Sequence, residues 1–473
     1  MRVVVGVDSS TQSTKVEVRA LDSGVVLAQA SAPHPSTQPP RSEQDPESWW
    51  AAFETAYGVA MSHLDDVEVA GVSVAGQQHG MVLVDAAGAT IRPAKLWNDT
   101  ESAPDAEALR EALPGGASGW ASAVGSVPVA AFTVTKLRWV LRNEPDALRR
   151  TAKVLLPHDW MIHRLCGHHV TDRGDASGTG YWSPREGRYR PDVLELVGPA
   201  DWDSLLPRVA AASETVGHWR GAAVACGTGD NMGAALGIGL QAGTAVVSVG
   251  TSGTAYTVAE APTADASGAV AGFASADGRF LPLVCTLNAG KVLAAVARLL
   301  GVDHEGLDHL AAAAPSGSGG LTLLPYLDGE RTPDLPMATG WLTGLRSDVS
   351  REDLARAAVE GVCCSLLDAL DELRRHAPVH RVLLTGGGAR SAALRATFAG
   401  LCPLPVESVE ADEAVAAGAA VQAAVVAGGG DHAEVARRWG LGATRPVEPC
   451  HAVDDVRERY AAARARAESE AGR

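Results

Sequence analysis

The sequence predicts an α/β protein made of two similar domains, each a mixed sheet covered by helices, and three observations carry that reading. First, residues 3–16 (VVVGVDSSTQSTKV) and 245–258 (AVVSVGTSGTAYTV) share one design: an apolar run, a Gly/Ser/Thr turn, then alternating residues that read as a returning strand. The second segment begins 242 residues after the first (3 to 245), about half of the 473-residue chain. Placement near the start of each half makes duplication a better account than a chance match of hydroxyl-rich hairpins. Second, a chain of this length exceeds what one core usually supports. Third, both halves alternate short strand-like runs with helical ones.

Taken in order, the first half has strand patterns at residues 3–7, 67–74, 81–84, 154–157 and 222–226, and helical patterns at 47–63, 136–143 and 160–166. The second half has strands at 245–249, 321–325 and 381–385, with helices at 291–300, 351–376 and 411–427. The boundary falls near Leu240 to Gly243, giving domains 1–242 and 243–473. Residues 100–125 and 265–278 are rich in Ala, Gly, Ser and Asp and read as surface connections. The longest apolar stretch, 414–430, is Ala/Gly-rich and interrupted by Gln422. It falls short of the roughly 20 residues a membrane span needs, so it reads as a buried helix. Residues 456–473 read as a charged helix fraying into a tail.

Charge and cysteine usage exclude several classes. A net charge of -16 without any Lys/Arg-rich run disfavours nucleic acid as a partner. None of the seven cysteines forms a CxxC pair, and Cys363 and Cys364 are adjacent, which suits neither a zinc ribbon nor a routine disulfide. Reduced, mostly buried thiols are expected. The opening MRVVVGVDSS is an apolar strand running into polar residues without a small-residue cleavage site, so no signal peptide is read there. The expectation is a soluble, cytoplasmic protein with no membrane partner.

The turns offer the chemistry. Two Ser/Thr/Gly turns, each after an apolar strand, present backbone N–H groups and hydroxyls of the kind a phosphate needs; as a matched pair they favour phosphate over plain hairpin turns. No GxxxxGK[ST] sequence occurs, which excludes a P-loop enzyme. Asp8 closes the first strand, where a carboxylate either holds a hydrated Mg²⁺ or makes an Asx-turn. In CGTGDNMGAALGIGL (226–240), Asp230 stands at a strand-to-helix junction, as an N-cap or as a base facing a substrate hydroxyl. GQQHG (76–80) sets an amide and an imidazole between glycines, a set suited to sugar hydroxyls, and KLWND (95–99) adds a ring and an amide. LLTGGGARS (383–391) is a strand, a triple-glycine turn and a helix start, which lets backbone approach a ligand closely. LPYLDGERTP (324–333) has no role derivable from its residues, and Lys15 is equally a phosphate contact or a surface ion pair.

In this order, and together with SEQDPESWW (42–50), FTVTKLRWV (132–140), VLLPHDW (154–160) and GWLTGLRSDVSREDLARAAVEG (340–361), these segments resemble the FGGY family of carbohydrate kinases over nearly the whole chain. Within it they are most similar to the branch acting on ketopentoses, D-xylulose above all. The resemblance implies the actin-like ATPase fold: two RNase H-like domains with the active site in the cleft between them. It implies ATP and Mg²⁺, a small sugar as the other partner, and allows a homodimer. By motif, Asp230 matches the catalytic base that takes the proton of the sugar's terminal hydroxyl, and Asp8 the carboxylate associated with Mg²⁺-ATP. Gln78 and His79 match the ketopentose-contacting pair, with Trp97, Asn98 and Asn231 as neighbours. Thr11 and Gly250, Thr251, Ser252 and Gly253 match phosphate-side loops, and Gly386, Gly387 and Gly388 the adenosine-side loop. Glycerol kinases carry an Arg-Glu pair where this chain has Gln78 and His79, which disfavours glycerol. The first turn reads DSSTQST where many relatives have a D-L-G-T/S turn, and Ala131 replaces a Gly or larger residue ahead of FTVTKL. Rival readings are a kinase for ribulose, gluconate or a sugar alcohol, and a non-kinase ATP-binding protein of the same fold.

Overall fold

Alternation along the first strand sets the layering. Val3, Val5 and Val7 of Arg2–Ser9 belong to a core with Trp49, Phe53 and Trp160, whereas Val4 packs with Ala420, Val421 and Ala424 on the other face. Both faces of this strand are therefore buried, which is why it reads as a nearly continuous apolar run. The structure, a computed structural model, describes residues 1–409, 413–451 and 455–471. Its described residues divide into two compact units: 1–240, 260–281 and 413–442, and 241–259, 282–409, 443–451 and 455–471.

In the first unit the sheet runs Thr215–Trp219, Ala222–Ala225, Glu68–Gly76, Arg2–Ser9, Ser13–Ala20, Val26–Pro33, with Thr228–Gly229 paired to the end of Glu68–Gly76. Arg2–Ser9 pairs antiparallel with Ser13–Ala20, which puts Asp8 opposite Lys15, and parallel with Glu68–Gly76. The helices Pro46–Met61 and Pro157–Cys166 supply Trp49, Phe53 and Trp160 to one face. The Ala/Gly-rich stretch forms the helix Ala414–Val426 on the other, and Ala411, expected at its start, lies outside the described residues. Its small residues serve close approach: a Cβ on Gly418 would overlap the Gly233 carbonyl of the helix Asp230–Gly237, and one on Gly6 would strike the Ala416 carbonyl. Glycine there lets backbone pack on backbone.

The second unit repeats the plan. Phe280–Thr286, Gly253–Thr257, Gly243–Val249, Val379–Thr385, Val406–Val409 and Thr444–Pro446 follow one another in the sheet. Their pairings run antiparallel, antiparallel, parallel, parallel, antiparallel. The first unit, read from Val26–Pro33, gives the same sequence of directions. The duplication seen in two hairpins thus extends over six strands of each unit.

Three stretches differ from expectation. Residues 100–125 contain the helices Ala103–Ala112 and Gly116–Val124, which bury Leu109 and Trp120; apolar residues at helical spacing outweighed the small-residue composition. Residues 265–278 include the buried strand Val270–Ala274. The last helix, Asp455–Ala471, does not fray over its described length, because Val456, Tyr460, Ala463 and Ala467 pack with Leu324, Tyr326 and Cys364. All seven cysteines are free, three of them buried. No helix among the described residues is long and apolar enough to cross a membrane.

Candidate active site

Three parallel strand ends of the first unit define the site. Asp8 stands level with Ala75, and Ala75 level with Thr228; one residue on, Ser9, Gly76 and Gly229 align in the same way. The chain leaves these ends as the turn Ser10–Gln12, the GQQHG loop and the helix beginning at Asp230. Ligands of parallel α/β sheets bind at such carboxyl ends.

Asp230 is the first residue of its helix, after an N-cap at Gly229, rather than the cap itself. Its Oδ1 accepts from the backbone N–H (2.8 Å) and side-chain Nδ2 (2.9 Å) of Asn231. Asn231 Nδ2 also donates to Gln78 Oε1 at 2.7 Å, which joins the two expected sugar-side motifs. Burial, aided by the negative charges of Asp8 and Asp175, pushes the Asp230 carboxyl up to about 7 against the Asn231 bonds. Oδ2 takes no hydrogen bond among the described residues, so a partly exposed, basic oxygen remains at the strand ends.

Asp8 is 6% exposed, and its Oδ1 has no hydrogen-bond partner. Burial pushes it up to about 7, with Lys15 opposing and Glu413 adding to the rise. Lys15 Nζ pairs with Glu413 Oε2 at 2.8 Å. A buried carboxylate with an unpartnered oxygen fits a hydrated Mg²⁺, which uses only one or two protein carboxylates.

His79 adopts a positive φ of 65°, an uncommon backbone state for a residue other than glycine. Its Nδ1 lies 2.7 Å from the Gly178 carbonyl, and its ring packs between Phe132 (4.8 Å) and Phe273 (5.6 Å). A carbonyl only accepts, so Nδ1 carries the hydrogen, which in a neutral ring makes Nε2 the acceptor. Trp97 is 40% exposed, with Nε1 donating to Thr11 Oγ1 at 2.9 Å, while Thr11 Oγ1 donates to Gln77 Oε1 at 3.1 Å. The Thr11 hydroxyl therefore ties the first turn to the loops carrying Gln77 and Trp97. Asn98 makes no hydrogen bond to this group; its buried Oδ1 is unpartnered. Beneath the Trp97 turn, Lys95 Nζ meets Asp99 (3.1 Å), Glu101 (2.5 Å) and Glu43 (3.2 Å). The three acids come close enough for a metal, but the Lys95 ammonium already stands among them and Arg92 also pairs with Glu43.

Sequence reasoning missed the layer under the loops. His158 is wholly buried, 2.9 Å from Asp175 and 3.0 Å from Asp159. Burial opposes its charge, yet Asp159, Asp175 and Asp172 push it up to about 9. Asp172 Oδ2 accepts from Thr228 Oγ1 at 2.8 Å, and Gly178, which holds His79, closes the same turn. VLLPHDW offered a signal for His158 and Asp159; nothing in TDRGDAS marked Asp172 or Asp175.

In the second unit, Gly250, Thr251, Gly387 and Gly388 line a cavity of about 1030 Å³ with Lys291, Arg298 and Asp308. Ser252, Gly253 and Gly386 do not line it. Gly253 packs toward Leu366 and Thr286, and Gly386 takes a φ of 89° against Val249.

A duplicated actin-like ATPase fold, with buried carboxylates at the strand ends of one unit and a glycine-lined cavity in the other, is the architecture of a sugar-kinase class. The chain belongs to the FGGY family of carbohydrate kinases: residues 3–252 match its N-terminal domain and residues 245–427 its C-terminal domain. It is 47% identical to a xylulose kinase of Streptomyces rubiginosus, over 97% of this chain and 95% of that one. It is 48% identical to a xylulose kinase of Streptomyces coelicolor, over 93% and 91%. Among solved structures, a xylulose kinase from Bifidobacterium adolescentis superposes with a TM-score of 0.84 at 39% identity, covering 98% of this chain and 99% of that chain.

Proposed function

We propose that this chain is a cytoplasmic enzyme that transfers the γ-phosphoryl group of ATP to O5 of D-xylulose, giving D-xylulose 5-phosphate and ADP. The observation that carries the mechanism is Asp230: a carboxyl raised to about 7, with one oxygen held by Asn231 and the other unengaged. Such a group is ionised enough near neutral pH to accept a proton and basic enough to hold it. As O5 attacks, its O–H bond breaks toward Asp230 Oδ2, the O5–Pγ bond forms, and the Pγ–O bond to ADP breaks with its electron pair. Phosphoryl transfer asks the protein chiefly to position reactants and balance charge.

The amide of Gln78 and the Nε2 acceptor of His79 suit the ketose carbonyl and hydroxyls, with Asn231, Trp97 and Asn98 around them. Asp8 would hold the Mg²⁺ that accompanies ATP, an ion that neutralises phosphate charge when bound. Thr11 belongs to the same strand-end turn. Gly250 and Thr251 serve the phosphates, with Ser252 and Gly253 completing their turn, and Gly387 and Gly388 the adenosine, with Gly386 shaping their loop; the cavity that Gly250, Thr251, Gly387 and Gly388 line supports the nucleotide's being held there. The names of the relatives at 47 and 48% identity support the choice of ketose.

The test is sugar-dependent ADP release across D-xylulose, ribulose, gluconate, xylitol and glycerol. D-Xylulose is expected to give the highest kcat/KM. A better substrate elsewhere in the panel overturns the assignment, and ADP release independent of any sugar overturns the kinase reading of this chain.

A further inference from the structure

The polar loop LPYLDGERTP has an anchor that the reaction above does not use. Glu330 is 1% exposed, and both of its oxygens are engaged. Oε1 accepts from the backbone N–H of Leu287 (2.6 Å) and of Arg331 (2.7 Å), and Oε2 accepts from Asn288 Nδ2 (2.9 Å). Asn288 is itself buried; its Nδ2 also donates to Gly329 O (2.7 Å), and its Oδ1 accepts from Leu327 N (3.2 Å). Thr332 Oγ1 donates to Cys285 O at 2.9 Å. The loop is thereby fastened to residues 285–288, the link between the strand Phe280–Thr286 and the helix Gly290–Leu300.

That helix begins against the Gly250 turn. Gly290 N donates to Gly250 O (2.8 Å) and Lys291 N to Thr251 O (3.2 Å). A Cβ on Gly290 would sit 2.6 Å from Gly250 O, so the approach leaves no room for a side chain. Gly250, Thr251, Gly290 and Lys291 line the same cavity, as do Leu327 and Asp328 of the polar loop. Donors converge on Glu330 from Leu287, Asn288 and Arg331, and only a carboxylate accepts on both of its oxygens.

We propose that Glu330 is a positioning residue for the nucleotide: through Leu287 and Asn288 it fixes the first turn of the helix Gly290–Leu300, and through that turn the Gly250–Thr251 backbone that meets the phosphates of ATP. The inference rests on reading this turn as the phosphate side. It explains an acidic residue beside an anion's site, because Glu330 faces away from the ligand and spends both oxygens on the protein. Gln at 330 would turn an NH₂ toward the Asn288 NH₂, two donors face to face, so even this isosteric change should be felt.

The test uses the full-length protein with Glu330→Ala and Glu330→Gln, measuring ADP binding by calorimetry without sugar, then KM for ATP and for D-xylulose. Glu330→Ala should weaken ADP binding and raise the KM for ATP by about tenfold, the size of one lost charge-assisted bond, with the sugar KM within about twofold. Glu330→Gln should show the same split at about threefold, and it carries the test if the Ala variant does not fold. Unchanged ADP affinity in a folded variant, or equal losses for sugar and nucleotide, would overturn the proposal. Because ADP binding is read without sugar, a wrong choice of ketose leaves this result intact.

Discussion

Replacing Asp230 by Asn separates what the carboxylate does for the reaction from what it costs the fold. Its carboxyl is raised from 3.8 to about 7, chiefly by burial. A shift of about 3 units at about 1.4 kcal/mol each sets a ceiling near 4 kcal/mol on the cost of its charge. Part of the residue meets solvent, which screens that cost, so about 1–3 kcal/mol is the working expectation. Below about pH 4 the carboxyl is protonated in both folded and unfolded chains, and the cost is absent. Between about pH 4 and 7 the unfolded chain releases its proton first, so wild type loses stability as pH rises; above about pH 8 the loss is complete. Asn carries no charge, and its amide oxygen can keep both bonds from Asn231. The Asn variant should therefore match wild type near pH 4 and exceed it increasingly up to pH 8, as read by parallel urea titrations. Its kcat should fall by about 10²–10⁴, the usual contribution of a general base. Wild-type kcat/KM for the sugar should climb with pH up to about 7 and flatten above it. A stability gain that does not change between pH 5 and 8 refutes the electrostatic argument, and near-normal turnover refutes the role as base.

Three other perturbations test the surroundings. His79→Ala removes the ring wedged between Phe132 and Phe273 and should raise the KM for D-xylulose about tenfold while leaving that for ATP within twofold; equal changes in both would count against a sugar-side role. Lys95→Met leaves Glu43, Asp99 and Glu101 without their ammonium and should destabilise the protein by about 3–5 kcal/mol, seen as a lowered urea midpoint. Gly418→Ala drives a methyl into the Gly233 carbonyl, so the helix carrying Asp230 must move; kcat should drop at least about tenfold even where the variant folds, and an unchanged kcat would show that this contact does not set the base's position.

Legibility in the sequence followed the reach of local signals. The first hairpin, the strand before GQQHG, the long helix Arg351–Arg374 and the Ala/Gly helix are written in contiguous patterns, and the structure has them within a few residues. Residues 100–125 misled because small residues fill helices as readily as turns; Leu109 and Trp120 were the periodic signal that composition hid. The final helix looked like a solvated tail because one apolar stripe, Val456, Tyr460, Ala463 and Ala467, is diluted by charges on the remaining face. At the site, Gln78, His79, Asp230 and Asn231 stand within two residues of glycines, which mark turns. The Asn231–Gln78 bond, by contrast, spans 153 residues, and Asp172 and Asp175 reach His158 from a different element, the helix Arg173–Ala176 and its N-cap. No local pattern announces a contact of that kind.

The two units share strand order and directions, yet their matched turns differ in charge, and the chemistry of ATP gives the reason. Where the first unit has Asp8, superposition of the hairpins places Gly250 in the second. The second turn, Gly250–Thr251–Ser252–Gly253, carries no acid, and neither does Gly386–Gly387–Gly388. A triphosphate pressed against an unshielded carboxylate would be repelled, whereas backbone N–H groups and hydroxyls attract it without a fixed negative charge. A base for an alcohol needs the opposite setting: burial and neighbouring acids that raise a carboxyl, as Asp8 and Asp175 do for Asp230. Duplication supplies two sets of strand ends, so that on the proposed reading one keeps acids for the proton acceptor and for the ion that shields the phosphates, while the other carries none. On this argument an acid placed at Gly250 would weaken ATP binding without touching the sugar side.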